Sequence, residues 1–131
     1  MPQVVCLKEL YEVAEGTPII KLPAKKSMRI PPIPFKNNSP FGFVLEVETA
    51  TTENFSDRPY DIISQNTVNC MANSPFFVNL QLKTNMSYRG SMPVSDTIRK
   101  VLLLKVKNSS VYFSYPIEAY VFESNNTSSV S

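Results

Sequence analysis

The sequence predicts an all-β, single-domain fold: a sandwich, jelly-roll-like or a small Greek-key barrel, with at most one short helix. Three observations carry this. Several segments alternate apolar and polar residues with a period of two, the signature of half-buried strands. The 11 prolines fall mostly between those segments. The 131 residues match the length of one compact domain, with 43% hydrophobic residues to fill a core and only 18% charged.

Along the chain, Gln3-Val4-Val5 starts an extended stretch. Leu7, Leu10, Tyr11 and Ala14 then recur at helical spacing, with Gly16 where a helix-ending glycine would stand. The same stretch reads also as a continuing strand. Thr17 to Leu22 is a short strand. Residues 23–36 form a basic, proline-rich arm or edge segment, and its run Ile30-Pro31-Pro32-Ile33-Pro34 is expected to be extended, polyproline-like backbone.

Gly42 to Thr49 turns Phe43, Leu45 and Val47 to one side and Glu46 and Glu48 to the other. Tyr60 to Cys70 is a weaker strand. In Pro75 to Lys83, Phe76, Val78, Leu80 and Leu82 share one face, opposite Asn79, Gln81 and Lys83. Ser95-Asp96 could cap one helical turn before Arg99 to Lys107, where Leu102, Leu104 and Val106 share one side, against Lys105 and Lys107.

Lys107-Asn108-Ser109-Ser110 reads as a hairpin turn into Val111 to Glu123, a strand apolar or aromatic on both faces. Such a strand is central to a sandwich or half covered by a partner. Pro116 within it cannot donate a ladder hydrogen bond, so the strand must bulge, break or lie at an edge there. The expected domain spans residues 1–123, and residues 124–131 form a flexible polar tail.

The chain holds no histidine, which removes histidine-based nucleophile systems and most catalytic zinc sites. Three glycines cannot write a phosphate-cradling loop, and two cysteines cannot make a structural thiolate site. No cofactor and no metal are expected. Glu46 and Glu48 share a strand face, but two acids on a solvated face are ordinary, so the protein is not expected to be an enzyme. Cys6 and Cys70 read as buried free thiols, with a bridge left open.

No run approaches the length of a membrane span, and the first residues lack the pattern of an export signal. The location is therefore expected to be intracellular, or within an assembled particle. Asn-x-Ser/Thr triplets at Asn37, Asn54, Asn85, Asn108, Asn125 and Asn126 read as turn chemistry rather than glycan sites.

Charge falls in blocks despite a net of +2. Residues 21–36 are basic, 37–61 acidic, and 83–107 basic again. These are solvated faces, or patches that dock on a neighbouring subunit.

The expected function is therefore structural: a small subunit that assembles with itself or with other subunits of a particle, such as a virion accessory, capsid-decoration or cement protein. The candidate partner interface is Lys25, Lys26, Arg29, Pro31, Pro32, Pro34 and Phe35 from the arm, with Tyr112, Tyr120 and Phe122 from the aromatic strand. The alternative is a barrel that binds single-stranded nucleic acid through the cations of residues 83–107.

Overall fold

A computed structural model describes residues 2–12, 16, 18–25, 30–50, 58–86, 88–91 and 95–122, with backbone alone at 12 and 23–25. They form a β-sandwich. Its strands are β1 (Val4–Cys6), β2 (Leu10–Glu12), β3 (Pro18–Lys25), β4 (Ile33–Asn37), β5 (Phe43–Ala50) and β6 (Tyr60–Ser64). The chain continues with β7 (Thr67–Cys70), β8 (Pro75–Val78), β9 (Leu80–Thr84), β10 (Ser95–Val106) and β11 (Tyr112–Phe122).

One layer is a six-stranded sheet in the order β2-β3-β11-β10-β5-β7. Its pairs are antiparallel except β3 with β11, which run parallel. The other layer combines the three-stranded sheet β1-β4-β8 with the pair β6-β9. β8 and β9 are one extended run that changes partner at Asn79, pairing with β4 before it and with β6 after it. This partition of strands is immunoglobulin-like.

Alternation explains why these segments became strands. In β10, Ile98, Lys100, Leu102, Leu104 and Val106 are buried on one face. In β8 and β9, Phe76, Val78 and Leu80 continue inward across the change of partner. Phe35 fills the space between layers, stacked on Phe76 at 5.5 Å and edge-on to Tyr115 at 5.0 Å.

Several sequence expectations are corrected. The stretch from Leu7 holds strand β2 rather than a helix, and Gly16 takes φ +82°, a conformation open to glycine. Ser95 and Asp96 open β10 instead of capping a helical turn. Tyr60 to Cys70 is two strands in different layers, separated at Gln65-Asn66. The Lys107–Ser110 hairpin is as expected, with Asn108 at φ 64°, a conformation asparagine tolerates.

Polar groups also join the layers. Lys100 points inward from β10 to Asp61 of β6 at 2.8 Å, its side chain only 6% exposed. Arg58 donates to Asp96 at 2.9 Å and to the Thr97 carbonyl, and Thr49 donates to the Ile62 carbonyl at 2.9 Å. Two triplet asparagines are structural. Asn37 is fully buried and donates to the Phe41 and Met71 carbonyls, and Asn85 donates to the Arg58 carbonyl.

Phe35→Ala is expected to lower unfolding free energy by about 4 kcal/mol, by lost transfer energy and a residual cavity; urea denaturation measures it. Asp61→Ala should destabilise by about 3 kcal/mol because Lys100 stays buried without its counter-ion. The paired replacement Asp61→Leu with Lys100→Met should recover most of that loss. Equal destabilisation by the single and double changes would show that the pair does not act as a unit.

Candidate functional site

β11 is the aromatic strand, and its alternation is regular. Phe113, Tyr115, Ile117, Ala119 and Val121 turn towards the core, while Tyr112, Ser114, Pro116, Glu118 and Tyr120 turn outward. β10 pairs with it along its whole length. On its other side β3 reaches only from Ile117 to Phe122. Tyr112 to Pro116 therefore presents an edge that no described strand covers.

The register sets what this edge offers. The hydrogen bond from the Val106 amide to the Val111 carbonyl, at 2.9 Å, fixes the phase of the β10–β11 ladder. Two-residue periodicity then directs the backbone of Tyr112, Ser114 and Pro116 away from β10. Pro116 has no N–H to present, and stands where β3 has not yet begun to pair. The sequence expectation of a proline-marked edge is met without a break in the strand. Tyr112 and Ser114 retain outward amides and carbonyls.

Across the gap lies β1, which pairs with β4 alone. The Tyr115 hydroxyl bridges the opening by donating to the Val4 carbonyl at 2.9 Å. Burial, then the neighbouring Cys6 thiolate, pushes the Tyr115 phenol up to about 12. Cys6 is itself raised by burial, against the opposing pull of a hydrogen bond from the Lys8 backbone and of the Lys8 charge. Cys6 and Cys70 are both free, and burial pushes Cys70 up to about 11.

A second cluster occupies the outer face further along. Glu118, almost fully buried although it faces outward, accepts from Arg99 and from the Tyr120 hydroxyl, each at 3.0 Å, with Lys21 at 3.8 Å. The Lys21 ammonium lies 5.6 Å from the Tyr11 ring centre and 5.7 Å from that of Tyr120. This network ties β2, β3, β11 and β10 together by cation–π and ionic contacts.

The sequence-derived interface residues do not form one surface. Pro31, Pro32 and Pro34 lie on the outside of the smaller layer, whereas Tyr112 and Tyr120 lie on the outside of the larger one. Those two tyrosines stand roughly 27 Å apart along β11 by strand rise. Tyr120 already serves the Glu118 cluster, and Phe122 is half-buried at the end of β11. Phe35 is corrected outright, since it is completely buried and belongs to the core. Lys25 ends β3, and Lys26 and Arg29 lie outside the described residues.

Sequence reasoning did not single out Ser114, although its position in phase with Pro116 carried the signal. Among the described residues no cluster of His, Cys, Asp or Glu is placed to hold a metal, and no helix is long and apolar enough to cross a membrane.

Raising the pH tests the Tyr115 bridge. The fold favours the neutral phenol, so its contribution is whole below the ordinary value of 10.0 and lost as pH climbs towards 12. Thermal midpoints of the native chain should fall more steeply across that window than those of Tyr115→Phe. Parallel curves would refute this role.

Neither a family model nor a curated protein sequence matches the chain. Its fold is similar to solved structures of periplasmic chaperones. SfaE superposes with a TM-score of 0.56 at 8% identity, covering 92% of this chain and 58% of that one. The E. coli chaperone DraB gives 0.53 at 11% identity, covering 80% and 53%. A chain from the Salmonella enterica SafA pilin–SafB chaperone complex gives 0.50 at 7% identity, covering 94% and 54%.

The likeness is one of fold, and this chain spans little more than half the length of each of those chains. It overturns the expectation of a virion accessory, capsid-decoration or cement subunit, because the structures sharing this architecture are chaperones. The nucleic-acid-binding barrel falls as well. The sheets form an open sandwich, and Arg99, Lys100 and Lys105 are each engaged by an acid, on different faces.

Proposed function

We propose that this chain is a non-catalytic module that holds an extended segment of a partner protein along the unpaired half of β11. The observation that carries the reading is the mismatch between neighbours. β10 covers all of β11, whereas β3 covers only its second half. An exposed strand edge is a template for a further strand, with main-chain hydrogen bonds supplying affinity and alternate side chains supplying selectivity. Here one set of partner side chains would meet the half-buried Phe113 and Tyr115, and the other would meet Tyr112, which is 64% exposed.

The likeness to chaperones supports this reading, since one of those structures holds a chaperone together with a pilin. The geometry sets its strength. Tyr112 and Ser114 offer two outward amides and their carbonyls, and each net hydrogen bond contributes about 1 kcal/mol. Most of the affinity must then come from apolar contact with the aromatic rim.

Ser114→Pro is the selective test. It removes an outward amide at a position in phase with Pro116, where the fold already accommodates proline. With the capped probe peptide Ac-TVTVTVT-NH2, amide exchange followed by NMR should slow at Tyr112 and Ser114 of the native chain, and binding should be lost in Ser114→Pro. Binding that persists in the variant, or protection confined to another edge, would rule the reading out.

A further inference from the structure

The smaller layer carries a surface that the half-paired edge does not use. On its outer side, register places Pro34 between Leu7 and Phe77: the Leu7 amide donates to the Pro34 carbonyl at 2.8 Å, and Pro34 stands opposite Phe77. The adjacent row is Val5, Lys36 and Pro75. Phe77 is 56% exposed, Leu7 53% and Val5 40%, so three large apolar side chains stand in water on the two sides of β4. Exposed apolar side chains gathered on one face, unlike scattered ones, mark interaction surfaces.

Lys36 lies in the middle strand of this face. It is half-buried, and no described carboxylate lies within ion-pair distance of it. Lys21, Arg58, Arg99, Lys100 and Lys105 each have an acidic partner, whereas Lys8, Lys83, Arg89 and Lys107, like Lys36, have none among the described residues; Lys36 is the one set between the apolar side chains of this face. A cation whose stem crosses apolar surface while its ammonium lacks an acid is a receptor for a carboxylate delivered from outside.

The surface continues into a groove of about 680 Å³, lined on one side by Pro31 and Pro32 and on the other by Ile63 and Gln81. Pairing of β4 with β8 begins at Ile33, and Pro31, the next position in the phase that faces β8, has no N–H to extend it.

We infer that this face binds a short extended polypeptide segment whose apolar side chains flank an Asp or Glu, the carboxylate meeting Lys36 and the chain running on past Phe77 into the groove. Size and charge select this occupant. Three strands span roughly 10 Å and two rows roughly 7 Å, far below the roughly 800 Å² per partner of a standard protein interface. A second copy of the chain seated there would bury too little to persist, whereas a peptide of a few residues fits.

The test is selection of displayed random heptapeptides on the native chain and, in parallel, on Ser114→Pro, which lacks the amide needed at β11. Sequences with Asp or Glu between apolar residues should be enriched on both. Their affinity should fall about tenfold in Lys36→Glu and in Phe77→Ser. Replacing their acid by lysine should restore binding to Lys36→Glu, a charge swap that a merely unfolded variant could not give. Enrichment without an acid, binding indifferent to Lys36, or no enrichment would overturn the inference. Retention on zwitterionic vesicles through Phe77 without peptide selection would also overturn it, making the face lipid-binding. Loss of peptide binding in Ser114→Pro alone would assign the ligand to β11 and overturn this site while upholding the other.

Discussion

The passage of the N-terminal chain from one layer to the other is the constraint on which the rest depends. β1 hydrogen-bonds within the smaller layer, and β3 runs parallel to β11 in the larger one. One chain cannot line both edges over the same stretch, so β11 is covered on that side only from Ile117 onward. The unpaired edge, the Tyr115–Val4 bridge and the shielded position of Cys6 all follow from that crossing. Pro116 sits at the junction, where a missing amide carries no penalty.

Charge is organised by the same sheets. The blocks of like sign along the sequence resolve in part into ion pairs across the fold: Lys21 and Arg99 on Glu118, Lys100 on Asp61, Arg58 on Asp96, Lys105 on Glu46. Neighbouring residues separate because alternation sends Arg99 outward and Lys100 inward. A basic run in sequence is therefore not a basic surface in space. Lys36 stands apart from these pairs, half-buried and with no described carboxylate within ion-pair distance.

The all-β class was legible because alternation reports burial directly. Leu102, Leu104 and Val106 could not all be buried on a helix of that pattern, and Phe76, Val78 and Leu80 follow the same logic. Alternation is blind to partners, however. It runs unbroken from Phe76 to Leu82 although the pairing strand changes at Asn79. It also marked Lys100 as in phase with Leu102, a signal for an inward cation that charge alone obscured. Phe35 was drawn to the surface by its proline-rich neighbours, yet its phase with Ile33 and Asn37 put it inside. The unpaired edge was legible only as the oddity of Pro116, because which strand stops short of which is a long-range property of the fold. The apolar face around Lys36 was hidden for the same reason: Leu7, Pro34 and Phe77 are distant in sequence and meet only through register.

The order of the larger sheet has a consequence for how the molecule is made. β11, the last strand among the described residues, lies inside that sheet between β3 and β10 rather than at its rim. Until it exists, β2 and β3 have no sheet to join, and the nascent chain holds apolar segments without their central neighbour. Contacts between such distant parts of a chain close slowly. Completion of this sheet must wait for β11, and the intervals before its arrival are when the molecule itself is most exposed to mispairing.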